Sequence, residues 1–477
     1  MSERPAVQAA APRHAEQWVQ RMFGVGLTTG DSQLGWALSD LVGLALRRNP
    51  RRAHLLVSSI LGKHVPVDPD LVHGTGMLLG ALVSYSLAGV ELPEDVKTVA
   101  VEALSGAKPD GLVRLLERPA FDHPDVLVVG FAETATGLGH CVAQALGAGV
   151  YLHSTRRAVP GVQVVGTFQE GHSHATDHLL QPLPGTMLSP AGVMVLVDDE
   201  FSTGKTAMET IAEMHRLFPR PHYVVAALVD LRASSDQEAM ASFATQLGIQ
   251  IDVVAIVSGS VDLPLGLAAA AAAHIATAGV SIVRAGLLPV QQERARPYTE
   301  LRLPWPATVP DGGRHGFLLT DREPFEIALE AASAILLQAL SPHAHHVLVL
   351  GTEELMYLPM RLAGAISSTP GHICRFQTTT RSPIHVEDAD GYPVRRGFAF
   401  ESPEKDPAAH RYLYNADWDG AEADAIVLVI DEAMDTVDLR SEHGLLPVLE
   451  SVGVPVVLAI VTGASPEALG QNRIAHS

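Results

Sequence analysis

The sequence has 477 residues, a length that predicts two or three domains, and it is 47% apolar but only 5% aromatic. This balance favours helices packed on parallel sheets and argues against a β-sandwich rich in Tyr and Trp. The formal net charge of −20 argues against nucleic acid as a partner, because that binding depends on many Lys and Arg contacts to phosphate.

Cysteine usage and hydropathy predict a cytoplasmic protein without a membrane segment. Cys141 and Cys374 lie far apart, so we expect no disulfide framework. Residues 1–14 lack the apolar core of a signal peptide. The most membrane-like segment, Leu263–Val280, is mostly Ala with Pro264 near its start, and Ala inserts poorly into lipid. We therefore predict a buried or half-buried helix there.

The order of apolar and amphipathic segments predicts an α/β fold behind an N-terminal helical region. Helical periodicity runs from Ala15 to about Gly106, with short breaks at Gly and Pro. Five apolar runs then alternate with amphipathic stretches: "DVLVVG", "GVYLHST", "GVMVLVDDE", "HYVVAALVD" and "IDVVAIVSG". This alternation is typical of βαβ units that form a doubly wound parallel sheet, buried on both faces. In such sheets, ligands bind at the carboxyl ends of the strands.

A second series of segments repeats the first. "HVLVLGTEELMYLPMRLAGAI" matches "DVLVVGFAETATGLGHCVAQAL", and "RFQTTTRSP", "GFAFESP" and "AIVLVIDEAMDTV" match later segments in the same order. The matches pair Gly351 with Gly130, Glu354 with Glu133, Arg381 with Arg156, Phe400 with Phe168, His410 with His178, and Asp431 with Asp199. Four matches in one order predict a duplicated domain. We expect a first domain at 15–285, a linker or wrapping segment rich in Pro, Arg and Gly at 286–313, and a degenerate second domain of similar α/β fold at 314–477.

The segment "VLVDDEFSTGKTA" (Val195–Ala207) carries the strongest functional signal. An apolar strand ends in Asp198 and Asp199, and a polar turn then leads into a helix. Hydroxyls and backbone N–H groups at a helix N-terminus favour a dianion such as phosphate. The turn contains Ser202, Thr203, Gly204, Lys205 and Thr206. A nucleotide-binding P-loop is excluded, because it needs Gly where Asp199 stands.

This segment resembles the signature with which type I phosphoribosyltransferases bind 5-phosphoribosyl-1-diphosphate (PRPP). The resemblance implies that Asp198 and Asp199 contact the ribose hydroxyls, directly or through Mg²⁺, and act as catalytic residues. Their negative charge would favour an oxocarbenium-like transition state. The Ser202–Thr206 turn would hold the 5′-phosphate.

The same resemblance implies a pyrophosphate site on two other loops. In type I enzymes the loop after the first strand holds pyrophosphate and often carries a strained or cis peptide. By resemblance, Ala132, Glu133 and Thr134 would line it here. Glu133 is unusual beside pyrophosphate unless it reaches a metal-bound water or an Arg. Arg156 and Arg157 follow the second strand and could clamp pyrophosphate by bidentate contacts. A helix-capping turn remains the alternative for the first loop.

Two pairs of residues are candidates for contacts with the acceptor base. Asp230 and Arg232 follow the fourth strand, at the place of a base-contacting loop in orotate phosphoribosyltransferase. Lys63 and His64 belong to the N-terminal region, which we expect to form a helical hood over the base. Solvated loop and helix ends are the alternative for both pairs.

The segment "QEGHSHATDH" (Gln169–His178) is expected to belong to a loop that closes over the site. His172, His174, Asp177 and His178 have a spacing that a metal could use. A solvated loop, or histidines that bind phosphate, are the alternatives.

Together with "NPRRAHLLVSSILGKHVPV", "GFAETATGLG" and "VDDEFSTGKT", the tetrapeptide Thr380–Pro383 identifies a family. The chain resembles the phosphoribosyltransferases found with tellurium-resistance gene clusters, whose second domain is named TRSP after this tetrapeptide. The resemblance implies Mg²⁺, PRPP and a ring nitrogen of a base or base-like acceptor that displaces pyrophosphate. It implies a link to a stress-related nucleoside-like metabolite but does not fix the acceptor. We also expect a homodimer. A regulatory protein that senses PRPP or a nucleotide with the same loop is the alternative function.

The second domain is expected to keep the fold without binding PRPP. Ile430 stands where Asp198 stands in the first domain, and the loop "AMDTVDL" has no Gly for a turn at positive φ. Thr380, Arg381 and Ser382 remain as candidates to bind another anion or to complete the first site across an interface.

Overall fold

The computed structural model describes residues 17–47, 53–169, 177–189, 192–278, 282–286, 298–404, 410–416 and 423–476. The described strands up to residue 286 are β1 (Gly26–Thr29), β2 (Val42–Leu46), β3 (His54–Ser58), β4 (Leu127–Gly130), β5 (Val150–His153), β6 (Gly166–Gln169), β7 (Asp177–Leu180), β8 (Met194–Phe201), β9 (His222–Asp230), β10 (Gln250–Asp262) and β11 (Val283–Arg284). The helices are α1 (Trp18–Phe23), α2 (Leu38–Leu41), α3 (Pro69–Ala88), α4 (Glu94–Leu104), α5 (Gly111–Leu116), α6 (Ala135–Leu146), α7 (Lys205–Leu217), α8 (Ser234–Leu247) and α9 (Leu267–Thr277).

The part of the chain from residue 298 onward repeats this alternation. Its described strands are β12 (Thr299–Pro304), β13 (Phe317–Leu318), β14 (His346–Gly351), β15 (Ile373–Thr378), β16 (Gly397–Glu401), β17 (His410–Tyr414), β18 (Ala425–Asp431) and β19 (Val456–Thr462). The α-helices are α10 (Arg322–Ala339), α11 (Tyr357–Ser367), α12 (Val437–Arg440), α13 (Leu445–Ser451) and α14 (Pro466–His476).

The first domain is built on a seven-stranded sheet in the order β1-β10-β9-β8-β4-β5-β13. The five central strands are parallel, and the two edge strands are antiparallel to their neighbours. All four residues of β4 are buried, as are the first four of β8, because helices cover both faces of the sheet. The predicted α/β class with a parallel sheet is confirmed.

The second domain has a parallel five-stranded sheet in the order β12-β19-β18-β14-β15. The pairing repeats residue by residue: Val129 lies opposite Leu196 in the first sheet, and Leu350 lies opposite Leu428 in the second. In both domains an antiparallel hairpin precedes a central strand. The β6–β7 hairpin precedes β8, and the β16–β17 hairpin precedes β18. The order β9-β8-β4-β5 in the first sheet matches β19-β18-β14-β15 in the second, and these four strands with their shared register support a duplication.

The hairpin corrects one detail of the predicted repeat. Phe168 pairs with His178 in the first hairpin, whereas Phe400 pairs with Arg411 in the second. Arg411, rather than His410, therefore occupies the position of His178. A residue insertion in a turn shifts the register by one, which sequence matching without pairing information misses.

The N-terminal region is mixed rather than wholly helical. Strand β1 joins the edge of the first sheet, and β2 and β3 form an antiparallel hairpin around residues 48–52, which lie outside the described part. The short apolar runs "VGLAL" and "HLLVS" on either side of the Asn-Pro break pair with each other, because neither is long enough for a stable helix.

The segment predicted as a linker contributes structure to the second sheet. Within 286–313, β12 pairs in parallel with β19 along six residues. Just beyond it, β13 pairs with β5 and so ends the first sheet with a strand from the later part of the chain. The domain limits themselves stay a prediction.

Within the described residues, one helix, α3, is long and apolar enough to cross a membrane. Of its apolar window, 78% is buried inside the protein. It packs along α6, and the close approach depends on small residues. A Cβ atom on Gly80 would lie 2.6 Å from the backbone oxygen of Val142. Helix α9 lies inside the Ala-rich segment predicted to be a buried or half-buried helix, but only Leu267 and Ala271 of its 11 residues are buried and most of the others are exposed.

We predict that Gly80→Ala destabilises the protein, because the new methyl group meets backbone that cannot move without shifting α6. Overpacking of this kind costs roughly 1–3 kcal/mol, which should lower the melting temperature by several degrees. Gly470→Ala is the matched control: its nearest atoms would lie 3.7 Å away, in ordinary contact, and the change improves helix propensity in α14. Equal melting temperatures for Gly80→Ala and the unsubstituted protein would contradict the packing argument.

Candidate active site

The chain order of the first sheet reverses between β4 and β8. Strand β5 follows β4 on one side, whereas β9 and β10 follow β8 on the other. The connections that leave β4 and β8 therefore diverge, and a crevice opens at the carboxyl ends of both strands, where open α/β sheets bind ligands. Residues 131–134 and the Ser202–Thr206 turn begin at this point.

A cavity of about 530 Å³ lies in this crevice and extends to the N-terminal region and the second domain. Its lining brings together most of the residues predicted from sequence. They are Lys63, His64, Ala132, Glu133, Thr134, Arg156, Asp198, Asp199, Ser202, Thr203, Gly204, Lys205, Thr206, Thr380, Arg381 and Ser382.

One wall of the cavity is the turn between β8 and α7. Gly204 has a φ of +78° and caps α7 at its N-terminus, so the turn depends on a conformation that other residues rarely adopt. Lys205 and Thr206 form the first turn of α7 and line the cavity. The positive end of the helix dipole therefore faces the cavity, as an anion site requires.

Asp198 and Asp199 lie at the carboxyl end of β8, where the strand emerges from the core. Both are half-buried and line the cavity. The N–H of Asp199 donates to Asp198 Oδ1 at 2.9 Å, which orients one of the two carboxylates. The neighbouring Glu200 also lines the cavity, so the acidic edge is one residue longer than predicted.

The loop after β4 is held by contacts on two sides. Ala132 N–H donates to Ser154 Oγ at 2.9 Å, and this hydroxyl lies 2.8 Å from Nδ1 of His178 on the β6–β7 hairpin. On the other side, the Lys63 ammonium group donates to Thr134 Oγ1. The Ala132–Glu133 peptide bond is cis. His172 and His174 of the predicted metal cluster lie outside the described residues, as does the side chain of Asp177.

Glu133 is buried and points to the second domain rather than into the solvent. It accepts hydrogen bonds from Thr380 Oγ1 at 3.3 Å and from the N–H of Arg381 at 3.4 Å, and the Arg381 Nε atom lies 3.1 Å from its Oε1 atom. Burial raises the pKa of Glu133, and nearby Glu353 raises it further, while Lys63 and the arginines act in the opposite direction. Of the two partners that the sequence analysis offered for this carboxylate, a metal-bound water or an Arg, the structure places an Arg of the second domain beside it.

The second domain makes the same contact in reverse. Glu354, the match of Glu133, accepts hydrogen bonds from Thr155 Oγ1 and from the N–H of Arg156, both at 2.6 Å. Thr155 and Arg156 are the matches of Thr380 and Arg381. Reciprocal contacts between matched residues define an isologous interface, so the two domains face each other about an approximate two-fold axis.

Arg157, predicted to clamp pyrophosphate, is not among the residues that line the cavity. Its guanidinium group pairs with the carboxylate of Asp431 and, at 3.2 Å, with Glu404, both in the second domain. Arg314 pairs with the same Asp431 at 3.3 Å. The pyrophosphate role is therefore corrected for Arg157, because the buried Asp431 and the half-buried Glu404 of the other domain hold its side chain.

Asp230 and Arg232, predicted on the base side, also lie outside the cavity lining. They pair with each other through two hydrogen bonds of 2.9 and 2.8 Å, and Arg232 lies over the ring of Phe201. Both charges are satisfied locally at the end of β9, and neither side chain lines the cavity.

The N-terminal region closes the opposite side of the cavity with His64, Lys63 and three residues that sequence analysis did not single out: Arg47, Leu55 and Leu56. His64 is 3% exposed, and burial beside Lys63 and Arg47 lowers its pKa well below the usual value. The buried Nε2 atom of His64 has no hydrogen-bond partner within the described residues. A neutral imidazole with one such ring nitrogen can receive a ligand.

The second domain contributes a further set of cavity residues that sequence analysis missed. They are Pro383, His410, Arg411 and Tyr412. Arg411 is fully buried, and its Nε donates to Glu353 at 2.6 Å. The similarity of the two hairpins could have located Arg411 from sequence. This would have required knowing that Phe400 pairs with Arg411, as Phe168 pairs with His178.

Comparison with known proteins agrees with this architecture. Residues 41–260 match the model of a family described as "Phosphoribosyl transferase", and residues 311–449 match one described as "TRSP domain C terminus to PRTase_2". The chain therefore belongs to the family in which a type I phosphoribosyltransferase domain is followed by a TRSP domain, as its sequence motifs predicted.

Solved adenine phosphoribosyltransferases are among the similar structures. The enzyme from Rhodothermus marinus is 21% identical with a TM-score of 0.22, over 30% of this chain and 79% of that one. The enzyme from Giardia lamblia is 20% identical with a TM-score of 0.23, over 35% of this chain and 87% of that one. At these TM-scores the likeness adds no argument, and the assignment rests on the two family matches. No curated protein matches the chain at a significant level.

The ion pairs of Asp431 predict a pH dependence of stability. Burial alone would raise its pKa, but Arg157 and Arg314 more than offset burial and lower the pKa to about 2. Because the folded-state pKa lies below the unfolded one, the stabilisation is complete above about pH 4 and is lost as the pH falls toward 2, amounting to about 2 kcal/mol.

We expect the free energy of unfolding to fall between pH 5 and pH 2 and to fall less in Asp431→Asn. Asp252→Asn, which removes an exposed pair with His222, should keep the original pH profile. Denaturant unfolding at several pH values measures both slopes. An unchanged slope in Asp431→Asn would refute the assigned role of this carboxylate.

Proposed function

We propose that this protein is a Mg²⁺-dependent phosphoribosyltransferase that transfers the phosphoribosyl group of PRPP to a ring nitrogen of a base or base-like acceptor. The observation that supports this proposal most is the concentration of cations around one cavity, in a chain whose net charge is −20. The lining contains six cations against the four acids Glu133, Asp198, Asp199 and Glu200; the cations are Arg47, Lys63, Arg156, Lys205, Arg381 and Arg411. A cavity with such a lining attracts a polyanion, and the acid pair at its floor suits a ribose.

Each of three segments would bind a different part of PRPP. The Ser202–Thr206 turn and the N-terminus of α7 would bind the 5′-phosphate. Asp198 and Asp199 would accept hydrogen bonds from the ribose 2′ and 3′ hydroxyls. Residues 132–134, with Arg156, would bind pyrophosphate. This division rests on where each group begins: residues 132–134 follow β4, whereas the acids and the turn follow the adjacent strand β8.

The acid pair also fits a magnesium ion. Asp198 and Asp199 present carboxylate oxygens to the cavity, and Mg²⁺ prefers such hard ligands together with phosphate oxygens and water. The ion would neutralise charge on the pyrophosphate leaving group. The carboxylates would in addition stabilise the positive charge that develops on the ribose ring.

The proposed reaction requires no covalent bond between the protein and the substrate. The bond between ribose C1 and the pyrophosphate oxygen breaks, pyrophosphate leaves with the electron pair, and the acceptor nitrogen forms a new bond to C1. Positioning and electrostatic stabilisation would therefore supply most of the rate.

The second domain would complete the pyrophosphate end of this site. Arg381 reaches the cavity through the interface contact with Glu133, and Ser382 lines it with a buried hydroxyl that has no hydrogen-bond partner within the described residues. Hydroxyls and a guanidinium group are suitable donors for phosphate oxygens. In the second domain, Arg157 and Arg314 both pair with Asp431, the match of Asp199, so these two side chains occupy the equivalent position.

The acceptor would lie under the N-terminal region. Leu55 and Leu56 offer an apolar surface to a planar ring, and the neutral His64 imidazole offers one hydrogen bond. Family resemblance adds a link to a nucleoside-like metabolite of the stress response and to tellurium resistance. The identity of the acceptor is best sought by incubating the protein with PRPP, Mg²⁺ and small molecules of its host, then detecting a phosphoribosylated product by mass spectrometry.

A cytoplasmic location and a homodimer belong to the same proposal. Cys141 and Cys374 are buried free thiols, which suits a reducing compartment. Since the two related domains already cover each other's crevice edges within one chain, a homodimer would use a different surface.

We predict that PRPP binds with Mg²⁺ at a stoichiometry near one per chain. Asp198→Asn/Asp199→Asn should lose most of the affinity in titration calorimetry, because both ribose contacts and the metal ligands are weakened. Asp230→Asn, at the end of the adjacent strand but outside the cavity, is the control. Unchanged affinity in the double variant would refute the site, and a stoichiometry near two would refute the loss of the second site. PRPP binding without pyrophosphate release in the presence of host acceptors would favour the sensor.

We predict that Arg156→Ala and Arg381→Ala weaken binding of PRPP far more than binding of ribose 5-phosphate, since only PRPP carries pyrophosphate. Loss of a charge-assisted hydrogen bond costs roughly 1.5–3 kcal/mol, or at least a tenfold change in affinity. Arg157→Ala is the control, because its side chain pairs with the second domain and should not discriminate between the two ligands. Equal weakening of both ligands by Arg156→Ala would assign that residue a structural role.

A further inference from the structure

Three metal-ligating side chains meet outside the cavity, at a junction of both domains. His274 lies on α9, and His385 and Glu387 follow the Thr380–Pro383 tetrapeptide. His274 Nε2 lies 2.9 Å from Glu387 Oε2, and His385 Nε2 lies 3.1 Å from the same oxygen. All three ligand atoms fall within 4.8 Å of one another.

This donor set is that of a zinc site. Two imidazoles and one carboxylate are a common zinc ligand set, with the fourth position taken by water. Tetrahedral ligands at the usual bond lengths lie about 3.3 Å apart, close to the two separations seen here. Burial tends to raise the pKa of Glu387, but hydrogen bonds from His274 and His385 hold it below the usual value, so the carboxylate is ionised at neutral pH.

We propose that His274, His385 and Glu387 bind one Zn²⁺ ion, which joins α9 to the segment that follows the tetrapeptide. His385 is 1% exposed, whereas His274 and Glu387 are 25% and 23% exposed. The buried histidine fixes the site, and the two others leave a solvent-facing side for entry of the ion and for a bound water.

The ion would stabilise a junction next to the active-site cavity. The N–H of His385 donates to the carbonyl oxygen of Leu46 at 2.9 Å, and Ile384 forms a β-bridge with Arg47, which lines the cavity. Pro383, one residue before Ile384, lines the cavity as well. Metal binding at His385 would therefore hold the second-domain wall of the cavity against the β2 strand of the first domain.

The rings around the site support a structural ion. Trp18 lies 5.2 Å from the His274 ring, and Tyr392 lies 6.5 Å from that of His385, measured between centroids. Trp18 also packs edge-on against Tyr392, so aromatic side chains surround the two imidazoles. Such a shell limits the positions that the imidazoles can take, which favours one coordination geometry.

The test is direct and needs no knowledge of substrate. The full-length protein is treated with a chelator, freed of it, and titrated with Co²⁺ and with Zn²⁺ at neutral pH. We expect one equivalent of tightly bound metal per chain, a visible absorption spectrum of tetrahedral Co²⁺, and a melting temperature raised by Zn²⁺. Metal content is read by elemental mass spectrometry, and Zn²⁺ should displace Co²⁺ from the same site.

Variants and controls assign the ligands. His274→Gln and Glu387→Gln change half-exposed side chains, so the fold should persist, but each should remove the Co²⁺ spectrum and the thermal shift. His222→Gln disrupts an ordinary His–Asp pair on the surface and should leave both signals unchanged. His172→Gln/His174→Gln should also leave them unchanged, which separates this site from the other histidine-rich segment.

The proposal is overturned if the chelated protein binds neither ion below millimolar concentration, because the three residues would then form only a hydrogen-bonded group. It is equally overturned if the signals survive in His274→Gln and Glu387→Gln, or are lost in His172→Gln/His174→Gln alone. Since the readouts are metal content, spectrum and stability, these outcomes do not depend on whether the enzyme transfers a phosphoribosyl group.

Discussion

The structure depends on one contact, made twice: a buried glutamate at the crevice of each domain accepts hydrogen bonds from the Thr-Arg turn of the other. Glu133 binds the turn at Thr380 and Arg381, and Glu354 binds the turn at Thr155 and Arg156. A buried carboxylate is costly unless it is hydrogen-bonded and paired, so each glutamate is stable only while the domains stay together. The interface and both crevices are therefore formed as one unit.

The same symmetry explains why one crevice is open and the other filled. Arg157 of the first domain extends into the second crevice and pairs with Asp431, the match of Asp199. The residue matched to Arg157 in the second domain is Ser382, whose short side chain leaves the space before Asp199 free. Ile430, in the position of Asp198, removes one carboxylate from the filled crevice. A substitution on each side of the pseudo-two-fold axis thus turns two equivalent crevices into one site and one ionic junction.

Much of the fold follows from local sequence patterns, and the less predictable features depend on long-range contacts. Buried β-branched runs such as β4 and β18 identify parallel strands because both faces are covered, and their repetition reveals the duplication. The turn at Gly204 is visible in sequence because the residues that shape it are adjacent. The partners of Arg157 are 247 and 274 residues away, at Glu404 and Asp431, so no local pattern separates it from Arg156, its neighbour at the cavity.

Other differences from the sequence-based expectations have the same origin. Asp230 and Arg232 form an ion pair with each other, so neither charge needs a ligand. Their spacing in sequence does not show whether such residues pair with each other or contact a substrate. Helical periodicity around Val42–Leu46 is overridden because that segment pairs with β3. Glu133 was a local anomaly in sequence, because a carboxylate beside pyrophosphate calls for a metal-bound water or an Arg, but its local sequence did not show that the Arg lies in the second domain.

Charge balance at the interface bears on how an acidic protein would bind the polyanion proposed as its substrate. Glu133 and Glu353 lie beside Arg381 and Arg411, so this buried group carries about as many negative as positive charges. Such a group orients the guanidinium donors rigidly but contributes little net potential. The attraction for phosphate must then come from Arg156 and the other cations at the cavity surface and from the amide dipoles at the start of α7. Fixed donors on the second-domain side and a positive field on the first-domain side would together orient the pyrophosphate of the proposed substrate.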